Sequence, residues 1–132
     1  MEGNNNRGRI LLLEDEPIIG RVTSRALQAD GWEVEIAITG LIAKEKIETG
    51  NYDLMIFDVR TPLMSGIQLY EYMERSFPKL TGKVIFTTGD TLSGPSKSFL
   101  ERVKNVYLSK PYSPSQLREA VQQALARIAV GV

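Results

Sequence analysis

The chain has 132 residues, with 16 basic and 16 acidic side chains and neither cysteine nor histidine. A single domain of that length should bury roughly 68–70% of its unfolded surface and needs no metal or disulfide to fold. The balanced charge argues against a nucleic-acid or anionic-membrane partner. The missing residue types exclude disulfides, thiolate chemistry, a Ser-His triad and a phosphohistidine on this chain.

The polar start, Met1 to Gly8, has no apolar signal-peptide core and reads as a disordered tail before one domain over residues 9–130. No apolar stretch approaches the ~20 residues that span a bilayer, so no membrane contact and a cytoplasmic protein are the expectations. Ile10-Leu11-Leu12-Leu13 is a short continuous run, as in a strand buried on both faces. A helix follows from Pro17 to Asp30, opened by proline and closed by Gly31. Trp32, Val34, Ile36 and Ile38 alternate with Glu33, Glu35 and Ala37, the pattern of a half-exposed edge strand. Thr39 caps a second helix that runs to about Gly50 and buries Ala43 and Ile47.

Leu54 to Phe57 is the third strand, closed by Asp58. Ser65 caps a third helix with Ile67, Tyr70 and Met73 on one face. Val84-Ile85-Phe86 is the fourth strand, and the breaker-rich stretch from Thr91 to Ser96 delays the fourth helix to near Ser96. Val106-Tyr107-Leu108 is the fifth strand. In the last helix Ser113 and Gln116 form a capping box, and Leu117, Val121, Ala124, Leu125 and Ile128 mark one face. Strict strand-helix alternation implies a parallel sheet covered on both faces. With the alternating strand at an edge and the continuous ones inside, the expected fold is α/β, a flavodoxin-like three-layer sandwich of strand order 2-1-3-4-5.

In that order the carboxyl ends of strands 1, 3, 4 and 5 face one crevice. Glu14 and Asp15 follow strand 1, Asp58 ends strand 3, Thr88 follows strand 4 and Lys110 follows strand 5. Taken singly, each has a plain structural role: acids before a helix, a turn cap at Asp58, a strand threonine, a solvated lysine. Together they make chemical sense. Carboxylates about 4 Å apart repel by about 4 kcal/mol per pair at an effective dielectric near 20. A divalent cation relieves this, and Mg²⁺ suits one or two carboxylates plus a phosphoryl oxygen. An ammonium and a hydroxyl beside an aspartate complete an environment for phosphoryl transfer to that aspartate.

These segments, Leu13-Glu14-Asp15-Glu16-Pro17, Asp58-Val59-Arg60-Thr61-Pro62 with Ser65-Gly66, Thr87-Thr88-Gly89-Asp90 and Lys110-Pro111, resemble the receiver (phosphoacceptor) domain of bacterial two-component response regulators. The resemblance covers about residues 9–129. It implies that Asp58 is the phosphorylation site. Glu14, Asp15, Asp58 and the main-chain carbonyl of Arg60 would form a Mg²⁺ (or Mn²⁺) site, and Lys110 would contact the phosphoryl group. It further implies a cis bond before Pro111, Thr88 as the switch hydroxyl and Tyr107 as the aromatic switch residue. The donor would be a phosphohistidine on a histidine kinase or histidine phosphotransfer protein. The receiver would catalyse only its own phosphorylation and dephosphorylation, then change the surface of helix 4, strand 5 and helix 5, also the expected homodimer face. The Thr87 to Asp90 segment resembles the receiver module of hybrid histidine kinases.

Two positions depart from the family's usual pattern: Glu14 stands where aspartate is commoner, and Thr61 replaces a commonly apolar residue. Arg60 and Asp90, each two residues beyond a site residue, are expected to pair over the site and gate water. A haloacid-dehalogenase-type phosphatase is the enzyme alternative, but Arg60 occupies the place of its second aspartate, and Pro111-Tyr112-Ser113 stands where it needs further acids. In a flavodoxin-type flavin binder the acids after strand 1 would repel the phosphate. A pseudo-receiver that binds partners without phosphorylation would not need the full set Asp15, Asp58, Thr88 and Lys110.

Overall fold

The computed structural model describes residues 6–89 and 94–131. Its strands are β1 (Gly8–Leu13), β2 (Trp32–Ala37), β3 (Leu54–Asp58), β4 (Val84–Thr88) and β5 (Tyr107–Ser109). Its helices are α1 (Pro17–Ala29), α2 (Gly40–Thr49), α3 (Gly66–Ser76), α4 (Gly94–Val103) and α5 (Pro114–Ala129). The strands form one parallel sheet in the order β2-β1-β3-β4-β5, as expected. Every residue of β3 and β4 is buried, because both faces of these strands are covered.

Side chains alternate between the two faces along each strand, so the sheet builds two separate cores. Ile10, Leu12, Leu54, Ile56, Ile85 and Leu108 pack with Leu27 of α1 and with Leu117, Ala120, Val121 and Ala124 of α5. Leu11, Leu13, Met55, Phe57, Val84 and Phe86 pack with Ala43 and Ile47 of α2, Leu69 and Met73 of α3, and Phe99 and Leu100 of α4. Each fully buried side chain of this size stabilises the fold by about 1.5–3 kcal/mol. The caps behave as read: Thr39 Oγ1 accepts from Ile42 N–H at 3.1 Å, and capping boxes open α3 at Ser65 and Gln68 and α5 at Ser113 and Gln116.

Three local expectations shift, and one element was not foreseen. β1 begins at Gly8, the last residue read as tail, because Gly8 pairs with Trp32 and Arg7 N–H donates to the Gly31 carbonyl at 2.8 Å. Pro78 opens a 3-10 helix, Pro78–Lys83, which has too few residues to show an apolar period. α4 begins at Gly94, two residues before Ser96, with Gly94 at φ 58° supplying a backbone turn that suits glycine. On β2, Trp32 and Ala37 are buried, whereas Ile36 is 40% exposed and Ile38 lies past the strand at 55%. The edge position leaves that end of the strand open, and the part of α1 that comes within 4 Å of Ile36 includes Gly20, which carries no side chain to cover it.

Candidate functional site

β3 delivers Asp58 to the carboxyl edge at the centre of the sheet, with β1 and β4 on either side. Its carboxylate has two occupations. Oδ1 accepts the Arg60 N–H at 3.0 Å, which is the turn-capping role available to any aspartate after a strand. Oδ2 accepts from Lys110 Nζ at 2.7 Å. One oxygen of Asp58 thus caps the turn while the other meets a lysine ammonium.

The loop between β3 and α3 is held tightly around this carboxylate. Leu63 and Met64 have φ of 50° and 85°, a conformation that typically costs about 1–3 kcal/mol per non-glycine residue. Hydrogen bonds maintain it: Leu41 N–H donates to the Leu63 carbonyl at 2.9 Å, and Thr61 Oγ1 donates to the Met64 carbonyl at 3.0 Å. The unusual Thr61 thus closes its own loop. Two glycines allow the close approach. A Cβ on Gly66 would stand 2.1 Å from the Asp58 carbonyl oxygen, and one on Gly40 would stand 1.8 Å from the Met64 carbonyl oxygen.

Lys110 reaches in from the end of β5, its backbone N–H donating to the Thr88 carbonyl at 2.7 Å. Its ammonium also donates to Glu14 Oε1 at 2.8 Å, and Glu16 Oε2 stands 4.0 Å away. Burial alone would lower this lysine, but the hydrogen bonds to Asp58 and Glu14 outweigh it and hold the ammonium above its ordinary value. Glu14 is held above the ordinary glutamate value by burial, which the bonds from Lys110 and the Glu16 N–H offset only in part. The carboxylates of Glu14, Asp15 and Asp58 each offer an oxygen, all within 4.8 Å of one another. At that separation each like-charged pair costs about 3.5 kcal/mol at an effective dielectric near 20. Lys110 neutralises one of three negative charges, leaving an all-oxygen donor set that fits a hard divalent cation.

Thr88 is buried at the end of β4, and its backbone carbonyl ties that strand to Lys110. Tyr107, at the start of β5 beside Phe86, is 43% exposed, with its side chain outward. Arg60 is exposed, and Asp90, its expected partner, lies outside the described residues. The bond between Lys110 and Pro111 is cis. Sequence reasoning missed two contributors. The Glu16 N–H fixes the second oxygen of Glu14 at 3.2 Å, and Tyr112, just past Pro111, bonds to Thr23 of α1 at 2.8 Å. The second contact carried no motif signal, since its partners are separated by most of the chain.

A family model described as "Response regulator receiver domain" matches residues 10–122. The chain belongs to this family. It is a receiver domain of two-component signalling, with a phosphoacceptor role. It is 29% identical over 120 residues, 90% of its length, to the uncharacterized transcriptional regulatory protein YkoG of Bacillus subtilis, of which it covers 51%. It is 32% identical over 120 residues to the sensor kinase CckA of Brucella abortus, covering 89% of this chain and 12% of that protein. The chain thus spans about half of the regulator and a small part of the kinase. Among solved structures it is similar to a CheY-like response regulator receiver domain protein from Methanospirillum hungatei JF-1. That match has a TM-score of 0.79 and 32% identity, over 90% of this chain and 94% of the other. It is similar too to the receiver domain of sensor histidine kinase PA1611 from Pseudomonas aeruginosa PAO1, which has a magnesium ion coordinated in its active site cleft. There the TM-score is 0.80 and the identity 27%, over 90% of this chain and 98% of that one. Family membership does not favour the phosphatase alternative. Among the described residues no helix is long and apolar enough to cross a membrane.

Proposed function

We propose that Asp58 is the phosphoacceptor, taking its phosphoryl group from a phosphohistidine of a partner histidine kinase or histidine phosphotransfer protein. The observation that carries this reading is the Lys110 ammonium 2.7 Å from Asp58 Oδ2, in a crevice with three carboxylates. An Asp58 carboxylate oxygen forms the new bond to phosphorus. The bond from phosphorus to the donor imidazole breaks, and the imidazole nitrogen keeps the electron pair. Lys110 balances charge on the phosphoryl oxygens, and the Thr88 hydroxyl donates to one of them.

Glu14, Asp15, Asp58 and the Arg60 carbonyl would hold Mg²⁺ or Mn²⁺, which supplies positive charge against the phosphoryl oxygens. Glu14, already engaged by Lys110 and the Glu16 N–H, is suited to hold the cation through water. Once Thr88 turns toward the phosphoryl group, Tyr107 moves from its exposed position inward. The α4–β5–α5 surface then changes its preference for partners, a second copy of the chain among them. Water later hydrolyses the acyl phosphate, with Arg60 and Asp90 gating its approach. Intact mass after incubation with acetyl phosphate and magnesium tests the central step. Wild type should gain one phosphoryl group and Asp58→Asn none; equal uptake by both would overturn the assignment. A phosphoryl lifetime unchanged in Arg60→Ala would remove Arg60 from the gating role.

A further inference from the structure

Lys110 and Glu14 meet at the site but arrive from elements that are not neighbours. Glu14 precedes α1 and Lys110 follows β5, with β3 and β4 lying between β1 and β5 in the sheet. No ladder hydrogen bond joins these two ends of the crevice. Beside the Lys110–Glu14 contact, Tyr112 adds a direct tie. Its ring is half-buried, and its hydroxyl lies 2.8 Å from Oγ1 of Thr23, a buried residue on α1. Both line a cavity of about 450 Å³ between α1 and the segment after β5, together with Ile18, Val22, Lys110 and Pro111. A tie between Asp30, just past α1, and Arg118 of α5, at 3.1 Å, is at the far end of α1, with the arginine half exposed. Beside the Lys110–Glu14 pair itself, the Tyr112–Thr23 contact is thus a second buried link at the site end among the described residues, two residues from Lys110.

We infer that Tyr112 is a positioning residue. Its hydroxyl, bonded to Thr23, holds the segment carrying Lys110 against α1 and so keeps the ammonium between Glu14 and Asp58. This rests on Asp58 being the phosphoacceptor and adds a residue pair to that site. Tyr112→Phe keeps the ring and its packing and removes only the link. Thr23→Val removes it from the other side, while Thr23→Ser retains it.

The test follows these variants, with wild type and the Tyr112→Phe/Thr23→Val double variant, through separate readouts. The first is the maximal rate and the half-saturating concentration for phosphorylation by acetyl phosphate with magnesium. The second is the rate of acetylation of Lys110 by acetic anhydride, mapped by peptide mass. The third is the urea midpoint. Tyr112→Phe and Thr23→Val should each lower the maximal rate by about two- to tenfold, the scale of one hydrogen bond. The half-saturating concentration should barely move, and Lys110 should be acetylated faster by a similar factor. The double variant should match the singles, and Thr23→Ser should match wild type. Wild-type rates and Lys110 labelling in Tyr112→Phe would overturn the inference, as would additive losses or losses that track the urea midpoint. Failure of wild type itself to take up phosphate would instead overturn the Asp58 reading. Lys110 labelling then still reports on the link.

Discussion

Two glutamates on the adjacent strands β2 and β1, one within β2 and one just past β1, show what distinguishes a site from a brace. Glu35, on β2, is partly exposed and surrounded by partners: Arg9 at 2.9 Å, Lys46 at 3.9 Å and the Tyr52 hydroxyl, which donates to it. Arg9 also lies 5.0 Å above the Tyr52 ring, so the arginine and the tyrosine that meet Glu35 also meet each other. The Tyr52 hydrogen bond, aided by the two cations, holds Glu35 below the ordinary glutamate value. Glu14 has a closer lysine, yet burial holds it above that value, and two further carboxylates share its crevice. A carboxylate group left under-neutralised in a buried crevice is what the proposed cation and phosphoryl group would engage. A group satisfied by its own neighbours only joins strands.

Neutralising one acid in each cluster tests this contrast. Asp58→Asn should abolish phosphoryl uptake, read by intact mass, whereas Glu35→Gln should leave it unchanged. Gly66→Ala should destabilise the site end by about 1–3 kcal/mol or more, measured by urea unfolding, since its Cβ would meet the Asp58 carbonyl oxygen at 2.1 Å. Magnesium at ten times its dissociation constant should raise the unfolding free energy of wild type by about 1.4 kcal/mol, and that gain should shrink in Asp58→Asn. Glu35→Gln should cost no more than about 1 kcal/mol, the range of a partly exposed ion pair, with the magnesium effect intact.

The smallest effect is in pH dependence, and its sign differs between the two glutamates. The folded value of Glu35 lies below its unfolded one. Its stabilisation is complete above the ordinary glutamate range and is lost as pH falls through the folded value. The folded value of Glu14 lies above its unfolded one, so without metal the fold favours the protonated acid. Stability then declines as pH rises from about 4.5, the ordinary value, through the folded value. Urea midpoints against pH should lose the first slope in Glu35→Gln and the second in Glu14→Gln. A Glu14→Gln profile with the wild-type slope would show that burial at the site is not what perturbs the acid.

Local pattern carried much of the molecule. Continuous runs such as Leu54 to Phe57, the Ser113–Gln116 capping box and strict alternation of strands and helices determined the elements and the sheet order, because each is a short-range consequence of backbone hydrogen bonding and side-chain period. Order and spacing also brought Glu14, Asp15, Asp58, Thr88 and Lys110 to one edge, since topology alone places strand ends. What only the tertiary structure decided were contacts between distant segments with no periodic signal. Thr23 and Tyr112 are 89 residues apart, and Lys110 divides its ammonium between Asp58 and Glu14. The exposure of Ile36 was equally illegible, because an alternating strand specifies two faces but not how much of each a neighbouring helix covers. Side-chain direction and the packing of non-adjacent elements emerge only when the chain closes on itself, and those decide how Lys110 is held.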